Sequence, residues 1–148
     1  MRLVRKLYSL SARERRDLFR AQWALWRAQW HIRSRPTGTL LGAWSTDSIL
    51  PIADAKHLVR AHQIGDAVRR TALFGFSRPQ CLARSLAICE LLEAEHIPGA
   101  IVRVGVRPHE DAIAAHAWVE FAGDIVGDSR AHVRAFALLA TAQDALHR

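Results

Sequence analysis

Cysteine is scarce in this chain of 148 residues, which contains only Cys81 and Cys89. The two lie eight positions apart on one predicted helix, so their Cα atoms would be about 12 Å apart, too far for a disulfide. The sequence therefore excludes the class of small secreted proteins held together by disulfides, and it gives no reason to invoke an oxidising compartment.

Long apolar runs are also missing. The N-terminus has basic residues but no continuous apolar segment, and no later stretch reaches the roughly 20 residues needed to span a bilayer. Half of the residues are hydrophobic, which is enough to bury a core at this length. We therefore expect a cytoplasmic protein with no membrane segment.

Acidic residues are outnumbered, with 14 Asp and Glu against 21 Lys and Arg and a net charge of +7. Such an excess suits an anionic partner, for example nucleic acid, a membrane surface or an acidic peptide. It suits equally well a solvated basic face that binds nothing, because net charge bears on association and not on fold.

Three helices are predicted. Ser11 and Glu14 have the spacing of a capping box and open a first helix that runs to about Ile32. The second covers about 54–73, and the third runs from Cys81 to about Glu95. One face of the first helix carries an aromatic stripe at helical spacing: Phe19, Trp23, Trp26 and Trp30. We predict that this stripe packs in the core, the alternative being an exposed groove for a partner.

Strands are predicted in the second half of the chain, over about 100–106, 116–121 and 124–128. A loop is expected over 108–114 and a turn at Ala122-Gly123. The residues after Asp128, which include Val133, Phe136, Leu139 and Leu146, are predicted to form a terminal helix.

Cys81 follows Arg78-Pro79-Gln80 and opens the third predicted helix. At a helix N-terminus the unpaired backbone N–H groups and the positive end of the dipole stabilise a thiolate. Cys81 is therefore a candidate nucleophile, whereas Cys89, in mid-helix among apolar residues, is predicted to belong to the core.

A thiol nucleophile needs a base that takes its proton, and His116 is the best candidate. Along 116–121, alternation places Ala117, Val119 and Phe121 on an apolar face directed toward the core. His116 falls on the other face, which directs it out of the core and toward a site.

The base needs a group that fixes its tautomer, and strand parity favours Asp128. If Ile125 faces the core, Asp128 shares the face of His116 across the hairpin. Glu120, about 13 Å along the strand, and Asp124, at the turn, are poorer choices. A register slip or a bulge at the glycine before Asp128 would reverse this parity.

Two segments carry a family resemblance: CLARSLAICELLEAEHIPGAIVRVGVRP and, after it, AHAWVEFAGDIVGD. Together they resemble the transglutaminase-like cysteine protease domain of lasso-peptide biosynthesis, the leader peptidase that matures the precursor peptide. The similarity covers about 79–128, a third of the chain, and includes an Asp twelve residues after the His. Residues 1–75 match only in general character.

This resemblance implies that Cys81 is the nucleophile, His116 the general base and later acid, and Asp128 the orienting residue. It implies a papain-like α+β fold in which the Cys-bearing helix packs on a small antiparallel sheet. The chain then divides into an N-terminal helical extension, 1–52, which docks substrate or partner, and a protease domain, 53–148.

The cleavage mechanism also needs donors for the oxyanion. We expect the backbone N–H of Cys81 to be one and the Gln80 side chain to be a second. Arg84 and Ser85, one turn after the cysteine, are candidate substrate contacts or structural residues. Trp118 shares the face of the base and either lines the substrate groove or packs under the sheet.

No cofactor and no metal site are predicted. Members of the family have been described as ATP-dependent. The chain has no Gly-rich phosphate loop, however, so the sequence gives no support for ATP as a cofactor. Its eight histidines show neither HExxH nor paired Cys-x-x-Cys spacing.

The resemblance implies three partners: the precursor peptide as substrate, a leader-recognition protein that presents it, and a macrolactam-forming lasso cyclase. The rival hypothesis is a non-catalytic basic module that binds an acidic peptide or nucleic acid. A third hypothesis is amide hydrolysis or transpeptidation of a small substrate.

Overall fold

The computed structural model describes residues 10–34, 54–74, 80–110 and 112–139. Within them lie three long helices: α1 (Ala12–Ser34), α2 (Ala55–Phe74) and α3 (Cys81–Ala94). The remaining elements are β1 (Ala100–His109), β2 (Ala112–Phe121), β3 (Asp124–Val126), the one-turn helix α4 (Arg130–Val133) and β4 (Ala137–Leu138). The predicted α+β class and the three predicted helices are confirmed.

The sheet has the strand order β3-β2-β1-β4, and all neighbouring strands are antiparallel. Helix α3 packs on β1 and β2 and also contacts α1 and α2, while α2 contacts β3. The long helices therefore cover one face of the sheet, with α3 at the centre. This is the arrangement of a Cys-bearing helix on a small antiparallel sheet that the sequence predicts.

The β1–β2 hairpin is longer than predicted. Residues 108–114, expected to form a loop, extend both strands as far as the pair His109 and Ala112. Backbone pairing continues there without the apolar alternation that marks a strand in sequence, and Pro108 is tolerated near the strand end. The predicted turn at the end of β2, which leads into β3, is confirmed. Both Ala122 (φ 51°) and Gly123 (φ 79°) have the positive φ of a two-residue type I′ turn.

The chain after β3 differs from its prediction. Strand β3 ends at Val126, two residues early, because Gly127 adopts a φ of 76° and leaves the ladder. The expected terminal helix is wrong within the described residues. The chain makes the single turn α4, whose N-cap is Ser129, and then β4 pairs with β1. Residues 140–148 lie outside the described part.

Helix α1 begins with the predicted capping box. The N–H of Ser11 donates to Glu14 Oε2 at 2.8 Å, and the N–H of Glu14 donates to Ser11 Oγ at 3.2 Å. Each residue thus satisfies a backbone donor of the other, which fixes the start of the helix.

The aromatic stripe of α1 is not in the core, and that prediction is wrong. Its side chains are 47–78% exposed. The buried face of α1 instead consists mainly of small residues: Ala21, Ala24, Leu25 and Ala28. At 100° per residue this face lies on the opposite side of the helix from the stripe. Small side chains let α1 approach α2 and α3 closely, which leaves no space for indole rings.

The buried residues of α1 belong to the same core as those of α2, α3 and the sheet. The predicted domain boundary at 52/53 lies outside the described residues and stays a prediction. The described part of the N-terminal extension is nevertheless packed with the helices that follow it.

A buried arginine joins the three long helices. Arg60 on α2 donates to both carboxylate oxygens of Asp17 on α1, at 2.6 and 2.8 Å. It also donates to both oxygens of Glu95, at the end of α3, at 2.7 Å each. Arg20 adds a further ion pair to Glu95. These partners raise the pKa of Arg60 and lower that of Glu95 to about 2.

A glycine on α2 allows a close approach between this helix and the chain at the end of β3. A Cβ atom on Gly65 would lie 2.6 Å from the backbone N of Gly127 and 2.9 Å from its Cα. Glycine is a poor helix former, but the lack of a side chain at Gly65 is what lets α2 pack on the end of β3.

Removing the central cation is expected to destabilise the fold. Arg60→Ala removes both hydrogen bonds to the carboxylate of Asp17, a residue that is 7% exposed and keeps, among the described residues, only a 3.9 Å pair with Arg20. Breaking a buried pair in this way costs about 3–5 kcal/mol. Urea denaturation measures the loss. Arg69→Ala is the matched control, because its pair with Asp66 is about half exposed and should contribute at most about 0.5 kcal/mol. Equal effects of the two variants would contradict this role for Arg60.

Gly65→Ala is expected to destabilise the protein although alanine is the better helix former by about 1 kcal/mol. The added methyl would collide with backbone that no rotamer change can relieve, and overpacking of this kind costs about 1–3 kcal/mol. Thermal or urea unfolding measures the net change. Gly123→Ala is the control, since nothing lies within 4 Å of its Cβ position and only its φ of 79° opposes the change. An increase in stability for Gly65→Ala would refute the close approach.

Candidate active site

Cys81 is the first residue of α3, as predicted. Gln80 is the N-cap, with φ −65° and ψ 162°, and its side chain makes no capping hydrogen bond. The thiol is partly exposed and free. Cys81 therefore has the helix-start environment that favours a thiolate. The residues just before Gln80, 75–79, lie outside the described part of the chain.

Cys89 lies in the core, 1% exposed. Burial penalises its charged form and raises the pKa of the Cys89 thiol to about 12. The two cysteines of α3 therefore differ as the sequence predicts, since Cys89 remains a protonated thiol at neutral pH.

His116 and Asp128 form a hydrogen-bonded pair. His116 Nε2 lies 2.6 Å from Asp128 Oδ2, and the ring is only 6% exposed. The other carboxylate oxygen, Oδ1, accepts the backbone N–H of Ser129 at 2.7 Å. Both oxygens of Asp128 are thus held in place. Because Nε2 of His116 is committed to this bond, Nδ1 is the ring nitrogen that remains to accept a proton.

The contact between His116 and Asp128 does not arise from the strand parity that predicts it. In the observed register Val126 pairs with Val119 and faces the core, while Ile125 pairs with Glu120 on the other face. The prediction that Ile125 faces the core is therefore wrong.

Asp128 reaches His116 because of Gly127. The positive φ of Gly127 bends the chain away from the strand path. That bend brings Asp128 to the sheet face on which His116 lies. The sequence identifies this glycine as the place where the alternation could fail, and it does fail there.

The other carboxylates of the hairpin have different partners. Glu120 accepts from Arg103 and from the indole N–H of Trp118, each at 3.2 Å. Asp124 pairs with His62 and Arg130. Burial alone would raise the pKa of Asp124, but its contacts, above all the hydrogen bond from His62, lower it. Neither carboxylate is bonded to His116.

Aromatic rings surround His116 on its face of the sheet. The ring of Trp118 stacks at 6.1 Å between centroids, and those of Phe136 and His132 lie at 5.0 and 4.6 Å. Trp118 is 5% exposed and lies over Gly105, where a Cβ would be 2.9 Å from the indole. Trp118 therefore packs on the sheet beside the His116–Asp128 pair.

The predicted residues around Cys81 take different environments. Gln80 is exposed and Arg84 is partly buried. Ser85 is 3% exposed, and its hydroxyl donates to the carbonyl of Cys81 at 3.1 Å. Ser85 thus stabilises the first turn of α3 and has almost no surface for a substrate to touch.

The structure does not join Cys81 to the His116–Asp128 pair by a hydrogen bond. In the described residues, the thiol makes none with the His116 ring. α3 covers the sheet face of Ala117 and Val119, whereas His116 lies on the other face. A triad would need the thiol, at the tip of α3, to come within hydrogen-bond reach of Nδ1.

His132 is the site residue that sequence reasoning missed. One ligand atom each from His116, Asp128 and His132 lies within 4.8 Å of the others, a group that could hold a metal ion. No spacing in the sequence marks this group, since the three residues come from β2, the bend after β3 and α4. The sequence offers only a local signal, Ser129 as the N-cap of α4, the helix that carries His132. Its hydroxyl accepts the His132 N–H at 3.1 Å.

No helix in the described part of the chain is both long and apolar enough to cross a membrane. Comparison with known proteins gives one result: residues 18–141 match the transglutaminase-like superfamily. No curated protein matches the chain, and no solved structure does. The match spans most of the chain, from α1 to the residues after β4, and includes Cys81, His116 and Asp128. The chain therefore belongs to the transglutaminase-like superfamily, which includes cysteine peptidases and whose papain-like fold agrees with a Cys-bearing helix on an antiparallel sheet.

Proposed function

We propose that this protein is a cysteine peptidase that removes the leader from a ribosomally synthesised lasso-peptide precursor. The observation that carries the proposal is the 2.6 Å hydrogen bond between His116 and Asp128 in a chain of this superfamily that has a partly exposed cysteine at a helix start. The choice of substrate rests on the sequence resemblance over about 79–128.

Asp128 orients the base in this proposal. Its carboxylate accepts the Nε2–H of His116 and so selects the neutral tautomer with a lone pair on Nδ1. The pair of bonds to Asp128 keeps the carboxylate aimed at the ring. His116 is then ready to take the thiol proton once substrate brings Cys81 to Nδ1, and such contacts are commonly long before substrate binds.

Cys81 attacks the carbonyl at the junction of leader and core. Its proton passes to His116 Nδ1, and the tetrahedral oxyanion is stabilised by the backbone N–H of Cys81 and the Gln80 side chain. His116 returns the proton to the leaving amine, which frees the N-terminus of the core. Water, deprotonated by His116, then hydrolyses the thioester on Cys81 and releases the leader.

The surroundings of the site suggest further roles. Arg84, partly buried one turn after the nucleophile, is proposed to contact the peptide, while Ser85 holds the first turn of α3. The ring of Trp118 stacks on that of His116. Because Trp118 is buried, it contributes packing more than groove surface. The cytoplasm is the proposed location, with a leader-recognition protein and a lasso cyclase as partners.

The rival hypothesis, a non-catalytic basic module, is not favoured. It leaves the hydrogen-bonded pair of His116 and Asp128 without a role, and superfamily membership argues for catalysis. It would regain support if the chain bound acidic peptide or nucleic acid in a salt-sensitive way but cleaved nothing.

Cys81→Ala is expected to abolish cleavage of a lasso precursor presented with its leader-recognition protein, because the nucleophile is lost. Mass spectrometry of the products measures cleavage. Cys89→Ala should retain activity, since that thiol is buried and stays protonated. Iodoacetamide near neutral pH should label Cys81 and not Cys89. Full activity in Cys81→Ala would refute the thiol mechanism.

Asp128→Asn is expected to lower kcat by about 100-fold or more, the usual contribution of a correctly held general base. An amide in place of the carboxylate can present N–H to Nε2 and stabilise the wrong tautomer. Asp124→Asn is the matched control, because Asp124 lies four residues before Asp128, at the start of β3, but pairs with His62 and Arg130. Steady-state kinetics of both variants decide the point: similar rates for the two would remove Asp128 from the mechanism.

A further inference from the structure

His116, Asp128 and His132 form a cluster that neither the family match nor the peptidase mechanism accounts for in full. Their potential ligand atoms all lie within 4.8 Å of one another. The peptidase proposal uses His116 and Asp128 but gives His132 no part. We propose that these three side chains bind a zinc ion that inhibits the enzyme. The inhibition rests on the proposed function, whereas the zinc site itself does not.

The donor set suits zinc. Imidazole nitrogen and carboxylate oxygen bind Zn²⁺ at about 2.0–2.2 Å, and three protein ligands with one open position are usual where water or another molecule completes the tetrahedron. In a tetrahedral site the ligand atoms would be about 3.3 Å apart, a separation that follows from those bond lengths. His116 Nε2 and Asp128 Oδ2, now at 2.6 Å, need to separate by less than an ångström.

The surroundings of the cluster support a bound cation. Asp128 keeps one oxygen on the Ser129 N–H, the kind of outer hydrogen bond that orients a ligating carboxylate. His132 is exposed and gives the ion a path from solvent. Ser129 also caps α4 and so fixes the turn that carries His132. Two neutral imidazoles and one carboxylate leave the zinc site with a charge of +1.

Zinc in this position would switch off the base without touching the thiol. Before binding, the neutral His116 ring carries its proton on Nε2 and has its lone pair on Nδ1. Zinc would bind Nε2 once that nitrogen has lost its proton, which passes through solvent to Nδ1 and so frees the Nε2 lone pair. An N–H at Nδ1 cannot accept the proton of Cys81, and the neighbouring dication opposes any further protonation of the ring.

Zinc binding to the full-length chain tests the site without reference to activity. Isothermal titration should give one zinc per chain, and Co²⁺ should show the visible absorption of a tetrahedral N/O site. His132→Ala should weaken binding by about 100-fold or more, as expected for loss of a ligand when loss of an outer partner alone costs about 10–100-fold. His57→Ala, at an exposed histidine of α2, and Cys81→Ala should bind as the wild type does.

The inhibition is tested with the same variants. Zinc should slow peptide cleavage in the wild type and leave iodoacetamide labelling of Cys81 unchanged, because the thiol makes no hydrogen bond with the His116 ring before substrate binds. His132→Ala should abolish the sensitivity of cleavage to zinc. Unchanged zinc affinity in His132→Ala, or loss of binding in Cys81→Ala, would overturn the site. Circular dichroism checks the fold of each variant, and His132→Asn provides a second substitution with the same expectation.

The two proposals fail separately. Zinc binding that depends on His132 in a chain without peptidase activity would leave the metal site standing and refute the proposed function. Cleavage that depends on Cys81 but is insensitive to zinc, with no zinc bound, would do the reverse.

Discussion

The close contact between Gly65 on α2 and Gly127 after β3 is the constraint on which the site depends. Neither residue has a Cβ, so helix and chain meet backbone to backbone, and a Cβ on Gly127 would lie 2.5 Å from Ile88 Cδ1. Held against α2 and α3, Gly127 turns the chain with a φ that other residues rarely adopt. That turn carries Asp128 to His116 and starts the segment that holds His132.

The sheet has two different faces. Toward the helices it is apolar and close-packed, and the buried ion cluster centred on Arg60 fixes how those helices sit together. The other face carries His116, Trp118 and Phe136, with Arg107 placed 4.8 Å from the Phe136 ring centre. Among the described residues, helix α4 and the turn before β4 contribute the rings of His132 and Phe136 to that side.

Much of the fold could be predicted from local signals. Capping at Ser11 and the two-residue turn after Phe121 are fixed by neighbouring residues, so sequence reveals them. The aromatic stripe of α1 was placed wrongly because hydrophobicity alone does not show which of two apolar faces can approach another helix, and the alanine face is the one that fits. Strand parity predicts the contact between Asp128 and His116, and the contact is present, but parity is not its cause, since the alternation ends at Gly127. His132 could not be predicted, because its place beside His116 depends on the path of the chain after that bend.

The tryptophans offer a consequence of a different kind. Of those in the described residues, Trp23, Trp26 and Trp30 are exposed on α1, and Trp118 is buried and stacked on His116. Exposed indoles emit at longer wavelength than buried ones, so the blue side of the fluorescence spectrum belongs mainly to Trp118 among these four. The protein thus contains its own optical probe at the His116–Asp128 pair, and its emission is separated in wavelength from that of the indoles in the aromatic stripe of α1.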